Sequence, residues 1–135
     1  MVTEFVDTNV FLRVLTEDDP VKAVRCRRLF EQAIAGTISL ETSDLVIAEI
    51  VWTLLSYYGL SKRVVIQKVG QILNTPNLSV TNHDVLMETL VVWGRYGCDF
   101  IDAYNAAMMQ ERGVSGVVSY DSDFDAIPMV RRREP

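Results

Sequence analysis

The chain has 135 residues, 49% of them hydrophobic and 23% charged, which fits a single globular domain over residues 1–135 and excludes a disordered chain. No apolar run reaches the ~20 residues that a membrane-spanning helix needs, and Met1-Val2-Thr3-Glu4-Phe5 lacks the basic start of a secretory signal. Its 13 basic and 18 acidic side chains give a net charge of −5, which excludes a protein held on nucleic acid by bulk charge alone, but not a nuclease with local basic patches or a carboxylate metal site.

Val2–Val6 is short, β-branched and aromatic, and predicts a strand. Asn9–Leu15 predicts a short helix. Asp18-Asp19-Pro20 predicts the next helix start, with Asp19 as cap and Pro20 at the first helical position. That helix runs from Val21 to Ala35 and stops at Gly36. Ile38–Glu41 predicts a short strand. Asp44–Tyr57 is a strongly apolar helix ending at Gly59. Ser61 caps a helix to Leu73, with Pro76 beyond its end. Leu78–Val80 predicts a brief strand. Thr81 or Asn82 caps a helix from His83 to about Tyr96. Phe100–Arg112 predicts the last helix, ending at Gly113. Gly116–Tyr120 predicts a buried strand, and Met129–Arg131 a final short one.

Strands alternate with helices, singly or in pairs. This order predicts an α/β fold: a three-layer α/β/α sandwich around a central, mostly parallel sheet. In such sheets ligands bind beyond the carboxyl ends of the strands. The residues that follow the strands are therefore the ones to inspect.

Asp7 follows the first strand directly. Asp121 follows Val117-Val118-Ser119-Tyr120, with Asp123 and Asp125 close behind. The two positions point to one edge of the sheet if their strands are neighbours. Taken singly, Asp7 also suits a helix cap and Asp121-Ser122-Asp123 a polar turn. Glu49 sits in Leu45-Val46-Ile47-Ala48-Glu49-Ile50-Val51-Trp52, where every other side chain is apolar. A helix that apolar is expected to be buried, and no basic residue occurs between Ala33 and Leu60 to pair with Glu49 locally. Glu49 is thus expected to be a buried charge that needs a metal, a proton or a distant cation. Asp99 and Asp102 lie three apart at a helix start, where a cap and a first-turn acid are both favoured. Ala103, Ala106 and Ala107 would hold Asp102 against the body of the protein.

Convergence of Asp7, Glu49, Asp102 and Asp121 would be costly. Two like charges ~4 Å apart repel by about 4 kcal/mol at an effective dielectric near 20. Such a cluster persists with raised pKa values or a divalent cation. Cys26, Cys98 and His83 are the only cysteines and histidine. A structural zinc site lacks ligands, and oxygen donors alone select Mg²⁺ or Mn²⁺.

Val6-Asp7-Thr8-Asn9-Val10-Phe11-Leu12, Ala48-Glu49-Ile50, Asp99-Phe100-Ile101-Asp102-Ala103 and Ser119-Tyr120-Asp121-Ser122-Asp123-Phe124 together resemble the PIN-domain ribonucleases. Within them the chain is most similar to the VapC toxins of toxin–antitoxin pairs. The resemblance covers essentially the whole chain, and its specificity lies in the order and spacing of all four motifs. It implies a PIN-like fold and Mg²⁺- or Mn²⁺-dependent RNA cleavage in the cytoplasm. It also implies a homodimer and a small VapB-type antitoxin. Carried over residue by residue, it makes Asp7, Glu49, Asp102 and Asp121 the site acids. Asp99 and Asp123 accompany them, and Asn9 and Ser119 stand beside the first and last acids. Asp121 and Asp123 remain interchangeable as the fourth acid and as the proton acceptor. Arg13 and Arg112 are candidate contacts to RNA phosphates, alongside Lys22, Arg25, Arg27, Arg28 and Arg131-Arg132-Arg133. Leu54, Leu55, Tyr57 and Tyr58 are candidates for a dimer face or an antitoxin groove, beside simple core packing.

The alternatives are a catalytically silent PIN-like module that binds RNA or protein, and a receiver-type phosphotransfer domain. The latter needs a lysine after its last strands, and the only lysines are Lys22, Lys62 and Lys68. A dehalogenase-type phosphatase needs an acid where Asn9 stands.

Overall fold

The computed structural model describes residues 2–135. The chain divides into two compact units, Met1–His83 and Asp84–Pro135. In the first, the order is β1 (Thr3–Phe5), α1 (Thr8–Thr16), α2 (Pro20–Ile34), β2 (Ser39–Thr42), α3 (Asp44–Ser56), α4 (Lys62–Leu73) and β3 (Leu78–Val80). Helix α5 (His83–Arg95) has its first residue in the first unit and the rest in the second, followed there by α6 (Phe100–Glu111), β4 (Gly116–Val118), a 3₁₀ turn over Ser122–Ala126 and β5 (Arg131–Arg133). The fold is mixed α/β with a parallel sheet, as the alternation of elements predicts.

In the first unit β1, β2 and β3 form a parallel sheet in that order. Phe5 pairs with Glu41 and Thr42 with Val80. Parallel neighbours need a crossover, and α1–α2 and α3–α4 supply the two. The Val6 amide continues the ladder to the Glu41 carbonyl at 2.8 Å, and the buried Thr42 hydroxyl donates to the Val6 carbonyl at 2.8 Å. The end of β1 is thereby fixed immediately before Asp7. Helix starts follow the local rules: Asp19 Oδ1 accepts from the Lys22 amide, and Ser61 Oγ from the Val64 amide. Gly36 (φ 81°) takes the left-handed conformation that stops the chain after α2. At the end of α1, Lys68 Nζ of α4 donates to the half-buried Leu15 carbonyl at 3.0 Å, a cation on the negative end of the helix dipole. Leu40, Ile47, Ile50, Leu54, Val65 and Val69 are fully buried in this unit.

In the second unit β4 and β5 pair in parallel, with Gly116 opposite Arg131 and Val118 opposite Arg133. Leu86, Val92, Trp93, Phe100, Ala103, Ala106, Phe124 and Ile127 are buried. Trp93 and Phe100 meet edge-on with ring centroids 5.5 Å apart, so the end of α5 and the start of α6 share an aromatic contact.

Two strands depart from expectation. β4 is not a buried strand: Gly116 and Val118 are exposed and Val117 is half-buried. Its one pairing partner among the described strands is β5, in a sheet separate from that of β1, β2 and β3. The final strand forms at Arg131–Arg133, two residues beyond Met129–Arg131. Pro128 has no amide to give a ladder, and Val130 is buried, so pairing starts with the arginines.

Candidate metal centre

The second unit brings three acids together. Oxygen atoms of Asp102, Asp121 and Asp123 all lie within 4.8 Å of one another. Asp99 caps α6, its Oδ1 accepting from the Asp102 amide at 2.7 Å. This places Asp102 in the first turn, where the small residues Ala103, Ala106 and Ala107 lie buried beside it. Asp102 itself is 7% exposed. The other two acids come from the turn after β4. Asp121 caps the 3₁₀ turn, its Oδ1 accepting from the Asp123 amide at 2.9 Å, and its own amide donates to Ser119 Oγ at 2.9 Å. Buried Phe124 and Ile127 anchor that turn.

The electrostatics follow from the packing. Burial raises the Asp102 pKa from 3.8 to about 6, reinforced by the charges of Asp99, Asp121 and Asp123 and by a side-chain hydrogen bond with Asp121. Asp102 Oδ2 is buried with no hydrogen-bond partner. A buried carboxylate oxygen without a donor is expensive, and a cation is one way to satisfy it. The donor set is oxygen only and half open to solvent. It suits a hard divalent cation that keeps part of its water shell. Asp102, Asp121 and Asp123 would hold such an ion, and the capping carboxylate of Asp99 adds charge next to them.

Asp7 and Glu49 belong to the first unit. Asp7 caps α1, with Oδ1 accepting from the Thr8 amide at 2.8 Å, and its side chain is exposed. Glu49 is exposed, not buried. Helix α3 buries Val46, Ile47, Ile50, Val51 and Leu54 on one stripe, and Leu45, Glu49 and Trp52 share the opposite one at a spacing of four and three residues. Leu45 and Trp52 are 78% and 68% exposed. An apolar neighbourhood in sequence therefore did not mean burial, because the helix has a second apolar stripe. Leu54 is core, Leu55 and Tyr58 are half-buried, and Tyr57 is exposed.

Asn9, Arg13, Lys22 and Arg25 line a recess of about 250 Å³ in the first unit, with Val10 and Cys26. Arg13 is already paired with Asp18 at 3.1 Å. Arg112 follows α6 and is exposed. Cys26 and Cys98 are free thiols.

Sequence reasoning missed Asp125 and Arg132 as a pair. Arg132 forks onto the Asp125 carboxylate at 3.0 and 3.1 Å. The signal was present in the acid two residues past Asp123 and the arginine run, but a run of three arginines looks like a solvated tail until one of them is seen to point inward.

Residues 5–129 match the PIN domain. The chain belongs to the PIN domain family. Two solved structures are similar to this PIN domain. One is VapC20 of Mycobacterium tuberculosis, described as a sarcin–ricin loop cleaving toxin, at 20% identity over 91% of this chain and 93% of that one, with a TM-score of 0.42. The other is VapBC2 of Rickettsia felis bound to a DNA fragment from their promoter, at 12% identity over 98% of both chains, with a TM-score of 0.40. Comparison with curated proteins gives no match.

Proposed function

We propose that this PIN domain is a divalent-metal-dependent endoribonuclease, the toxin of a VapBC-type pair. The observation that carries the reading is the Asp102–Asp121–Asp123 cluster with its buried, unpartnered oxygen. Family membership and the four sequence motifs support it, and the unbroken match over residues 5–129 supports one domain. Mg²⁺ or Mn²⁺ is the cation of choice for this donor set. Bound there, it supplies a polarised water and neutralises charge building on a phosphodiester. The chain's own groups do the rest. Asp102 is fixed by the first turn of α6 and gives the inner oxygen. Asp121 and Asp123 are exposed, and one of them accepts the proton of the attacking water. Asp7, Glu49 and Asp99 join the site acids on the strength of the family resemblance, with Asn9 and Ser119 as supporting polar groups. For Glu49 that is now the whole argument, since the expected burial is not found.

Arg13 and Arg112 are proposed contacts to RNA phosphates, with the recess at Asn9, Lys22 and Arg25 as a further stretch of basic surface. The exposed stripe of Leu45 and Trp52 suits burial in a homodimer or under a VapB-type antitoxin. No helix among the described residues is long and apolar enough to cross a membrane, and a cytoplasmic location fits an RNA substrate.

The test is cleavage of a labelled mixed-sequence RNA with Mg²⁺, with Mn²⁺ and with EDTA, alongside Asp7→Asn and Asp102→Asn. Metal-dependent cutting lost in both variants is expected. Cutting that survives EDTA and Asp102→Asn would refute the assignment of the site. No cutting by folded, metal-supplied protein would favour a silent binding module.

A further inference from the structure

Arg132 sits in β5 between two exposed arginines, yet its side chain is only 17% exposed. Every nitrogen of its guanidinium is engaged. Nε and Nη2 donate to the two oxygens of Asp125 at 3.0 and 3.1 Å. Nη1 donates to the Ser119 backbone carbonyl at 3.1 Å and lies 3.5 Å from Glu134 Oε1. Ser119 and Asp125 are the two ends of the segment that carries Asp121 and Asp123. The fork therefore ties both ends of that segment to one rigid plane. The Ser119 amide adds a third tie, donating to the Arg133 carbonyl at 3.0 Å. Inside the segment, the bonds from Asp121 to Ser119 and from Asp123 to Asp121 are local. They shape the turn but do not anchor it. Anchoring falls to Phe124, Ile127 and the Arg132 fork.

We propose that Arg132 is the positioning residue of the acidic centre, holding the Ser119–Asp125 segment so that Asp121 and Asp123 stay on Asp102 when the three take a divalent cation. The proposal rests on the metal reading above. It makes a prediction opposite in sign to plain electrostatics. Deleting a positive charge near an acidic site raises cation affinity by Coulomb attraction alone. Deleting a positioning residue lowers it, because the carboxylates lose their shared geometry. Loss of a group bonded to a metal ligand typically costs 10–100-fold in metal affinity; Arg132 acts one step further out, through Asp125 and Ser119, so the lower end of that range sets the scale.

The experiment measures Mn²⁺ affinity calorimetrically on the intact chain, and amide hydrogen exchange at Asp121 and Asp123 with no metal present. Arg132→Ala is expected to bind Mn²⁺ at least 10-fold more weakly and to exchange faster at both amides. Arg131→Ala removes the same charge from a neighbour whose guanidinium donates to Ser115 Oγ rather than to the Ser119–Asp125 segment, and is expected to bind Mn²⁺ as tightly as wild type or tighter. Arg132→Lys keeps the charge without the planar fork, so it is expected to fold and to lose affinity as well. It carries the test if Arg132→Ala does not fold. Folded variants of Arg132 that bind Mn²⁺ as well as wild type would overturn the positioning role and leave the metal reading standing. A wild-type chain that binds no Mn²⁺ would overturn both.

Discussion

Asp102 is where residue chemistry and stability meet. Its folded pKa of about 6 lies above the unfolded 3.8, so the folded state binds the extra proton between those values. Stability from this group is therefore highest below pH 4, falls as pH rises toward 6, and stays low above it. The shift of about two units corresponds to roughly 3 kcal/mol held against the metal-free fold at neutral pH. Asp102→Asn removes that cost and supplies an amide that can donate to the facing carboxylates. Metal-free Asp102→Asn is expected to melt roughly 5–10 °C above wild type at pH 7 and near it at pH 4, by thermal denaturation followed by circular dichroism. Equal melting at pH 7 would show that Asp102 pays no ionisation cost. Much of this was legible in the sequence. A helix start with acids three apart, followed by alanines at 103, 106 and 107, already puts an acid against the body of the protein. The partners were less so, since Asp121 and Asp123 reach Asp102 only through tertiary folding.

At the scale of elements, caps and stops were the most legible features. Asp19-Pro20, Ser61, Gly36 and Asp99 each act through their nearest residues, and the structure uses them as the local rules say. The side facing the core was the least legible. Helix α3 is apolar almost all round, so composition gave no way to tell its two stripes apart. The exposed stripe holds Leu45, Glu49 and Trp52, and the buried one Ile47, Ile50 and Leu54. This asymmetry is measurable. Leu54→Ala is expected to cost about 2–5 kcal/mol in urea unfolding, as a fully buried leucine does. Trp52→Ala is expected to change monomer stability by no more than about 0.5 kcal/mol, although it deletes the larger side chain. A large loss at Trp52 that depends on protein concentration would locate a subunit interface on this stripe. A large, concentration-independent loss would mean that the stripe is covered within the chain.

For the molecule as a whole, a net charge of −5 and a carboxylate cluster act in the same direction. Both oppose compaction of the metal-free chain, and a divalent cation held by the cluster would relieve both. Composition fixed the sign of this charge balance, and the spacing of the motifs indicated where the acids lie. The family resemblance grouped Asp102, Asp121 and Asp123 in one site; composition and local spacing by themselves do not, because that depends on contacts between segments far apart in sequence. A cation that binds only the folded chain stabilises it by about 2.7 kcal/mol at 100 times its dissociation constant. Binding needs ionised carboxylates, so the gain must grow as pH rises through the Asp102 pKa of about 6. The metal-free protein loses stability over that same interval, and the gap between the two forms widens from pH 5 to pH 7. Salt alone also screens a charge of −5, so the comparison is made at matched ionic strength. Melting with Mg²⁺ against melting with EDTA is expected to differ little at pH 5 and by several degrees at pH 7. In Asp102→Asn the difference is expected to be small at both. An equal rise in wild type and variant would assign the effect to screening and take the cation away from Asp102.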